Sequence, residues 1–222
     1  MKILYFITSL SLGGAEKVTL NLAEKMIEKG HAVKVIYMFG DAKIFSSNSN
    51  LETIPLYISS YADVFNAFFK VRKIVKTFQP DVVHSHMYHA NLFMRVYRFF
   101  FSLKKLINSA HSSIEGSNFG MLLYKLTNFL SDLNTNVSNS ALKAFINNGA
   151  FNEKNSIVVY NGVDVNKFLN KSFEIKTKRK LITVGRFAPE KDYLNLINAI
   201  NIIRKNYNYN FKLCYNLRKF AA

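Results

Sequence analysis

A pair of glycines near the start of the chain is the first feature whose residue types could bind a ligand. Gly13 and Gly14 follow an apolar run, residues 3–7, that predicts a short buried strand, and apolar residues recur at helical spacing after them. Glycines at such a turn let a ligand approach backbone N–H groups, and the helix N-terminus offers a partial positive charge to an anion. The pattern predicts either an anion-binding loop or an ordinary tight turn. It lacks the spaced three-glycine fingerprint of dinucleotide sites.

Polar residues also stand where other predicted strands end. These residues are His84-Ser85-His86, His111 and Ser138. Ligands of parallel α/β sheets bind beyond the carboxyl ends of the strands. We therefore predict that these residues and the two glycines share one rim of a sheet.

The histidines do not predict a metal site. His84 and His86 lie on one predicted strand, and we expect their side chains to face opposite ways. The single cysteine, Cys214, excludes an internal disulfide and a cysteine-based metal cluster. We predict no metal, and we interpret His86 as a residue that lines a cleft.

Strands and helices alternate along most of the chain. The predicted strands cover residues 3–7, 32–39, 51–58, 80–86, 106–110, 134–137 and 156–160. Such alternation is typical of an α/β fold with a parallel sheet covered on both faces.

The composition changes after the last of these strands. Asn161 starts a predicted turn, and 171–180 holds five basic residues and one acid. We predict a Rossmann-like domain over 1–165, a linker over 166–180 and an incomplete second domain over 181–222. The second domain would contain one strand, a helix and another strand.

The charge of the chain is strongly positive. Its 30 basic and 14 acidic residues give a formal charge of +16, which suits nucleic acid or an anionic membrane surface. The basic residues are spread out and form no recognisable nucleic-acid-binding motif, so we disfavour nucleic acid. No apolar run approaches the ~20 residues that cross a bilayer, and no cleavable signal pattern opens the sequence. We predict a cytoplasmic protein.

One segment could bring the protein to a membrane. Residues 95–105 interleave four basic residues with aromatic ones and contain no acid. This pattern predicts an interfacial helix on anionic lipid. The alternative is a helix that packs in the core and has a solvated edge.

The order of the motifs resembles one known family. The motifs that carry the resemblance are GGAEKVTLNLAEKMIEKGHAV, PDVVHSHMYHANLFMR, SAHS, VSNSALKAF, VYNGVDVNKF and VGRFAPEKDYLNLINAI, within residues 2–203. In this order and spacing they resemble the family 4 (group 1) glycosyltransferases. Those are retaining enzymes with the GT-B fold, in which two Rossmann-like domains face each other.

The resemblance implies roles for residues on the first domain. Gly13 and Gly14 would face the phosphate of a sugar nucleotide and the acceptor. His111 would contact the donor sugar and support its transfer. His86, Ser138 and Asn161 would lie toward the acceptor in the cleft, although Asn161 also fits a hinge turn.

The second domain would supply cations. Arg186 and Lys191 match the basic pair that binds the donor diphosphate in the family. Fixed cations stabilise a leaving diphosphate without a metal, so we predict no cofactor.

The sequence departs from the family pattern near Cys214. A later glycine loop and a pair of glutamates that hold the donor are missing, so we predict a truncated enzyme whose activity is lost or impaired. The predicted function is glycosyl transfer from a nucleotide sugar to a glycan or lipid-linked acceptor, in surface polysaccharide or lipopolysaccharide assembly. The alternatives are a non-catalytic domain, half of a split enzyme, or a basic nucleic-acid-binding protein.

Overall fold

The protein divides into two compact units, Met1–Val163 and Asp164–Ala222. This division comes from a computed structural model. The residues that the structure describes are 1–163, 165, 180–185, 187, 189–207 and 212–217. Nearly all of the predicted linker, 166–180, lies outside the described residues.

Seven parallel strands form the sheet of the first unit. They are β1 (Lys2–Ser9), β2 (Ala32–Phe39), β3 (Glu52–Pro55), β4 (Val82–His86), β5 (Leu106–Ala110), β6 (Leu133–Asn136) and β7 (Ser156–Val158). Their order across the sheet is β3-β2-β1-β4-β5-β6-β7. The prediction of a parallel α/β sheet is confirmed. The strand order reverses between β1 and β4, and a doubly wound sheet opens a ligand crevice at such a point.

Helices connect the strands of this unit. They are α1 (Gly14–Glu28), α2 (Tyr61–Phe78), α3 (Tyr88–Phe100), α4 (Asn118–Thr127) and α5 (Asn139–Asn147). Local signals set several of their ends. Gly30 adopts a φ of 81° after α1, and Ser60 and Asp63 form a capping box at the start of α2. No helix in the described part of the chain is long and apolar enough to cross a bilayer.

The fourth helix begins earlier and ends earlier than the sequence predicts. Its apolar pattern extends over 121–133, but α4 ends at Thr127 and a short 3-10 turn follows, Asn128–Leu130. The Thr127 hydroxyl donates a hydrogen bond to the carbonyl of Leu123, 2.7 Å away. Such bonds back to the previous turn compete with continuation of the helix.

Each face of the sheet has its own apolar core. Leu4 and Phe6 of β1 point to the face covered by α2 and α3. Tyr5 and Ile7 alternate with them and point to the face covered by α1. Polar side chains on the neighbouring strands are therefore sorted by the same alternation.

The described part of the second unit consists of a strand pair and a helix. The strands β8 (Lys180–Gly185) and β9 (Lys212–Leu217) are parallel and paired, and α6 (Tyr193–Tyr207) lies between them in the chain. This is the strand-helix-strand order that the sequence predicts.

Candidate active site

The carboxyl ends of three adjacent strands bring together the predicted polar residues. Because β1, β4 and β5 are neighbours, the turn at Gly13, the end of β4 at His86 and the residue after β5, His111, lie along one rim. This rim includes the switch point between β1 and β4.

Three histidines form a cluster at this rim. The His86 Nδ1 and His111 Nε2 atoms are 3.1 Å apart, and the ring centroids of His84 and His86 are 4.1 Å apart. His84 Nε2 lies 2.7 Å from the Ser109 hydroxyl. The expectation that His84 and His86 face opposite ways is wrong. Residues two apart on a strand point to the same face, and both rings lie on the Tyr5 face.

Burial keeps the histidine rings neutral. Burial, together with the smaller electrostatic effect of His111, lowers the pKa of His84 to about 3. Burial also holds the pKa of His86 well below its usual value. The pKa of His111 is also lowered by burial, which the charge of Glu16 partly opposes. At neutral pH the cluster therefore offers neutral N–H donors and nitrogen acceptors.

The backbone is strained where β4 meets α3. Met87 adopts φ 73° and ψ 161°, a region that is almost exclusive to glycine. Two backbone bonds hold it there. Its N–H donates to the carbonyl of Ser109 at 3.0 Å, and its own carbonyl accepts from the N–H of Asn91 at 2.9 Å. Strain of this kind concentrates at ligand sites and fixes the direction in which the chain leaves His86.

Glu16 is a buried acid at the start of α1. The sequence places it outside the apolar stripe of the helix, yet its side chain is only 4% exposed. Its carboxylate accepts hydrogen bonds from the hydroxyls of Ser9 at 3.2 Å and Ser11 at 2.7 Å. Serine donors from the turn satisfy the carboxylate, which explains its burial.

The two glycines at this turn have different neighbours. A Cβ atom added to Gly13 would lie 2.2 Å from Glu16 Oε2, whereas one added to Gly14 would meet nothing within 4 Å. Gly13 therefore makes room for the Glu16 carboxylate, and Gly14 only begins the helix.

We expect Gly13→Ala to lower the free energy of unfolding by about 1–2 kcal/mol, because it displaces a hydrogen-bonded buried carboxylate. Gly14→Ala is the matched control. It should be neutral or stabilise by up to ~1 kcal/mol, since alanine favours a helix over glycine. Urea unfolding followed by circular dichroism measures both variants. Equal losses would show that Glu16 moves aside freely.

A second buried acid, Glu115, holds the loop that carries His111. Its carboxylate accepts the backbone N–H of His111 and the hydroxyl of Tyr124, each at 2.8 Å. Burial raises the pKa of Glu115 to about 7, against these two lowering hydrogen bonds. No sequence motif marked this residue, since a lone glutamate in a loop reads as solvated.

Glu115 should make stability fall with rising pH. Its folded pKa of about 7 lies above the value of 4.5 for an unperturbed group, so the native state binds the proton more tightly. Its contribution is fully present below about pH 4.5 and is lost as the pH rises through about 7. At about 1.4 kcal/mol for each tenfold change in proton affinity, the loss is about 3 kcal/mol.

We expect Glu115→Gln to flatten the curve of unfolding free energy between pH 5 and 8, because no carboxyl remains to ionise there. Urea unfolding at several pH values measures the slope. The exposed Glu153→Gln serves as the control and should keep the wild-type slope. A Glu115→Gln slope equal to that of the wild type would contradict the assignment.

A buried arginine joins the strands on the opposite face of the sheet. Arg95 of α3 is 0% exposed and donates to Asn108 Oδ1 at 2.7 Å, Asn134 Oδ1 at 2.7 Å and the carbonyl of Tyr124 at 2.9 Å. The prediction of a basic interfacial helix over 95–105 is therefore wrong for Arg95. Its charge ties α3 and α4 to β5 and β6 instead of facing a membrane.

The remaining predicted site residues take different positions. The Ser138 hydroxyl caps α5 by accepting the N–H of Ala141 at 3.1 Å, and Asn161 is exposed in the segment after β7. Lys191 is exposed at the end of a short 3-10 turn, Pro189–Lys191, in the second unit. Arg186 lies outside the described residues. No contact joins Ser138 or Asn161 to the histidine cluster among the hydrogen bonds of the described chain.

A metal-binding group is likewise not found in this part of the molecule. Within the described residues, no three histidine, cysteine, aspartate or glutamate side chains are placed to hold a metal ion. In the cluster, His86 bonds to His111, and His84 bonds to Ser109.

The strand order defines the class of doubly wound α/β proteins, and comparison with known proteins identifies the family. The model of Glycosyltransferase Family 4 matches residues 12–167. The chain belongs to Glycosyltransferase Family 4.

Two of the similar proteins are named for capsule or lipopolysaccharide synthesis. The chain is 26% identical, over 97% of its length, to the capsular polysaccharide biosynthesis glycosyltransferase CapH of Staphylococcus aureus, and it spans 61% of that relative. It matches HepE of Anabaena, solved with UDP, at 17% identity and a TM-score of 0.73, covering 99% of this chain and 70% of HepE. The lipopolysaccharide outer core galactosyltransferase WaaB gives 14% identity and a TM-score of 0.70, covering 97% and 60%. These matches confirm the GT-B fold class.

Proposed function

We propose that the chain is the acceptor-side part of a retaining glycosyltransferase that moves a hexose-type sugar from a nucleotide donor to a glycan or lipid-linked acceptor. The observation that carries the proposal is the family match over residues 12–167, which includes the His111 rim. The names of the similar proteins support capsular polysaccharide or lipopolysaccharide assembly as the setting. The neighbour solved with UDP and glucose supports a nucleotide-sugar donor.

The residues predicted to bind the donor each have a role in this proposal. His111 contacts the donor sugar, and the turn at Gly13 and Gly14 faces the donor phosphate. Arg186 and Lys191 neutralise the charge that develops on the leaving diphosphate. These cations replace a divalent metal in the proposed reaction, so transfer needs no cofactor.

A transfer assay tests this function. The 222-residue chain, and the chain extended by the part of CapH that lies beyond the match, are each incubated with a panel of nucleotide sugars and with lipid-linked or glycan acceptors in EDTA. We expect the extended chain to release nucleoside diphosphate over many turnovers. No transfer by either form, or transfer only with added metal, would contradict the proposal.

The alternative is that the 222-residue chain by itself does not catalyse transfer. Its support is that the chain spans 61% of the CapH relative. We expect this chain to bind nucleotide sugars more weakly than the extended form and to give no turnover. Multiple turnovers by the unextended chain would exclude this alternative.

We propose further that the protein works at the cytoplasmic face of a membrane and binds anionic lipid through an aromatic surface on α2 and α3. Phe65 and Phe69 are exposed on α2, with ring centroids 4.9 Å apart. Phe99 and Phe100 are exposed at the end of α3. The ring centroid of Phe100 lies 5.9 Å from that of Phe68 of α2. Exposed aromatic rings suit the interfacial layer of a bilayer.

Positive charge continues the same side of α2. Lys73 and Lys76 follow Phe69 at helical spacings of four and three residues, and both are exposed. Basic residues beside interfacial aromatic rings favour anionic lipid. The surface thus differs from the one that the sequence predicted, because it uses Phe99 and Phe100 without Arg95.

We expect the chain to float with vesicles that contain anionic lipid and to stay unbound with zwitterionic vesicles. The double variant Phe65→Ser and Phe69→Ser should lower the bound fraction at least about fivefold, because it removes two rings from the surface. Phe45→Ser, another exposed phenylalanine, is the control and should bind like the wild type. Equal flotation of all three proteins would contradict this surface.

A further inference from the structure

The bond between His86 and His111 leaves one nitrogen of each ring without a partner. The atoms that meet are His86 Nδ1 and His111 Nε2, 3.1 Å apart. The two other ring nitrogens, His86 Nε2 and His111 Nδ1, are buried and have no hydrogen-bond partner among the described residues. A buried polar atom without a partner needs an explanation.

Two neutral rings can arrange their protons in two ways. In the first, His86 Nδ1–H donates to His111 Nε2, and the second proton sits on His111 Nδ1. In the second, His111 Nε2–H donates to His86 Nδ1, and the second proton sits on His86 Nε2. Each arrangement leaves one N–H group and one bare nitrogen without a partner.

The surroundings of the two rings favour the first arrangement. His86 is 2% exposed and lies between the rings of His84 and Tyr5, with centroids at 4.1 and 5.9 Å. An orphaned N–H is disfavoured at such a site more than a bare acceptor is. His111 is less buried than His86, and the negative charge of Glu16 favours protonation of its ring.

We propose that His86 is a positioning residue that holds the proton of His111 on Nδ1, so that His111 donates a hydrogen bond from Nδ1 to an oxygen of its ligand. The identity of the ligand, a nucleotide sugar, rests on the proposed function. The placement of the proton rests only on the contacts within this chain.

This assignment gives the two histidines separate tasks. His86 lies behind His111 and reaches the ligand only through it, whereas the prediction from sequence was a residue that lines the cleft. His111 acts as a neutral donor toward a hydroxyl or phosphate oxygen. No proton has to leave either ring for this contact to form.

Nuclear magnetic resonance of the 222-residue chain tests the proton placement. The chain has five histidines, so ¹⁵N labelling of their rings gives a spectrum that single substitutions can assign. Two-bond ¹⁵N–¹H correlations report which ring nitrogen carries the proton. We expect His111 to carry it on Nδ1 at pH 7. A His111 proton on Nε2 would overturn the proposal.

Two variants of His86 separate positioning from packing. His86→Asn keeps an N–H donor in the place of Nδ1, because in both side chains that nitrogen is bonded to Cγ, and it should keep the proton of His111 on Nδ1. His86→Leu removes the donor and should give His111 a mixture of both tautomers. His89→Asn, an exposed position, is the control and should leave the His111 signals unchanged. A His111 tautomer that is the same in His86→Leu as in the wild type would overturn the positioning role.

A ligand titration separates this inference from the proposed function. UDP and UDP-glucose are added in turn to the extended chain described above, and the ¹⁵N signal of His111 Nδ1 is followed. A shift with UDP-glucose alone assigns the bond to a sugar oxygen, and a shift with both assigns it to the diphosphate. If UDP-glucose binds and the Nδ1 signal stays unchanged, the ligand contact is wrong. If transfer fails while His111 has the Nδ1 proton, the proposed function is wrong and the role of His86 stands.

Discussion

Replacing Arg95 with leucine is expected to lower the free energy of unfolding by about 3 kcal/mol or more. The guanidinium satisfies three buried acceptors, which are Asn108 Oδ1, Asn134 Oδ1 and the carbonyl of Tyr124. Each acceptor left without a donor in the interior costs about 1–3 kcal/mol. The gain from no longer burying a charge offsets part of this cost. Urea unfolding followed by circular dichroism measures the change.

The matched control is Arg98→Leu, one turn further along the same helix. Arg98 pairs with Asp132, and both side chains are partly exposed. A pair of this kind contributes about 0–1 kcal/mol, so this variant should lose much less stability. Comparable losses in the two variants would mean that the Arg95 network is as dispensable as a surface ion pair.

Replacing His111 with alanine is expected to lower turnover by about 10²-fold or more. His111 stands at the end of β5, where the proposed reaction places the donor sugar, and it offers a neutral N–H donor. Removal of one positioned donor costs enzymes about 10²–10³ in turnover. Initial rates of transfer by the chain extended with the remaining part of CapH measure the effect.

The control for this variant is His31→Ala. His31 precedes β2 and therefore lies at the amino end of the strands, the opposite end from the rim. It should retain wild-type turnover. Wild-type rates in His111→Ala would remove this histidine from the reaction, and losses in both variants would point to a general defect in folding.

The position of His111 at the end of a strand was predictable from the sequence, whereas its partners were not. The strand predicted over 106–110 is β5, and it fixes the place of the histidine that follows it. The backbone N–H of His111 donates to Glu115 Oε1 at 2.8 Å, and His111 Nε2 lies 3.1 Å from His86 Nδ1. His86 is 25 residues away in the chain, and only the pairing of β4 with β5 brings the two rings together.

That His84 and His86 share one face of the sheet could also have been read from the sequence. The period of a strand is two residues, so side chains two apart always share a face. The structure agrees with this rule, because the ring centroids of His84 and His86 are 4.1 Å apart. The wrong assignment of faces separated two histidines that the structure places in one cluster.

The sequence by itself determined the alternation of strands and helices and the parallel sheet, because apolar periodicity and turn residues act over a few neighbouring positions. The order of its motifs indicated the family. Only the tertiary structure decided where the charges go. In the sequence, Arg95 lies in a predicted interfacial helix, Glu16 lies outside the apolar stripe of α1 and no motif marks Glu115, yet all three are buried. Their burial depends on hydrogen-bond partners that strand pairing and helix packing bring close. Arg95 donates to Asn134, 39 residues away in the chain, and Glu115 accepts from Tyr124. A local pattern carries no record of such partners, since a charge costs several kcal/mol to bury until the fold supplies them.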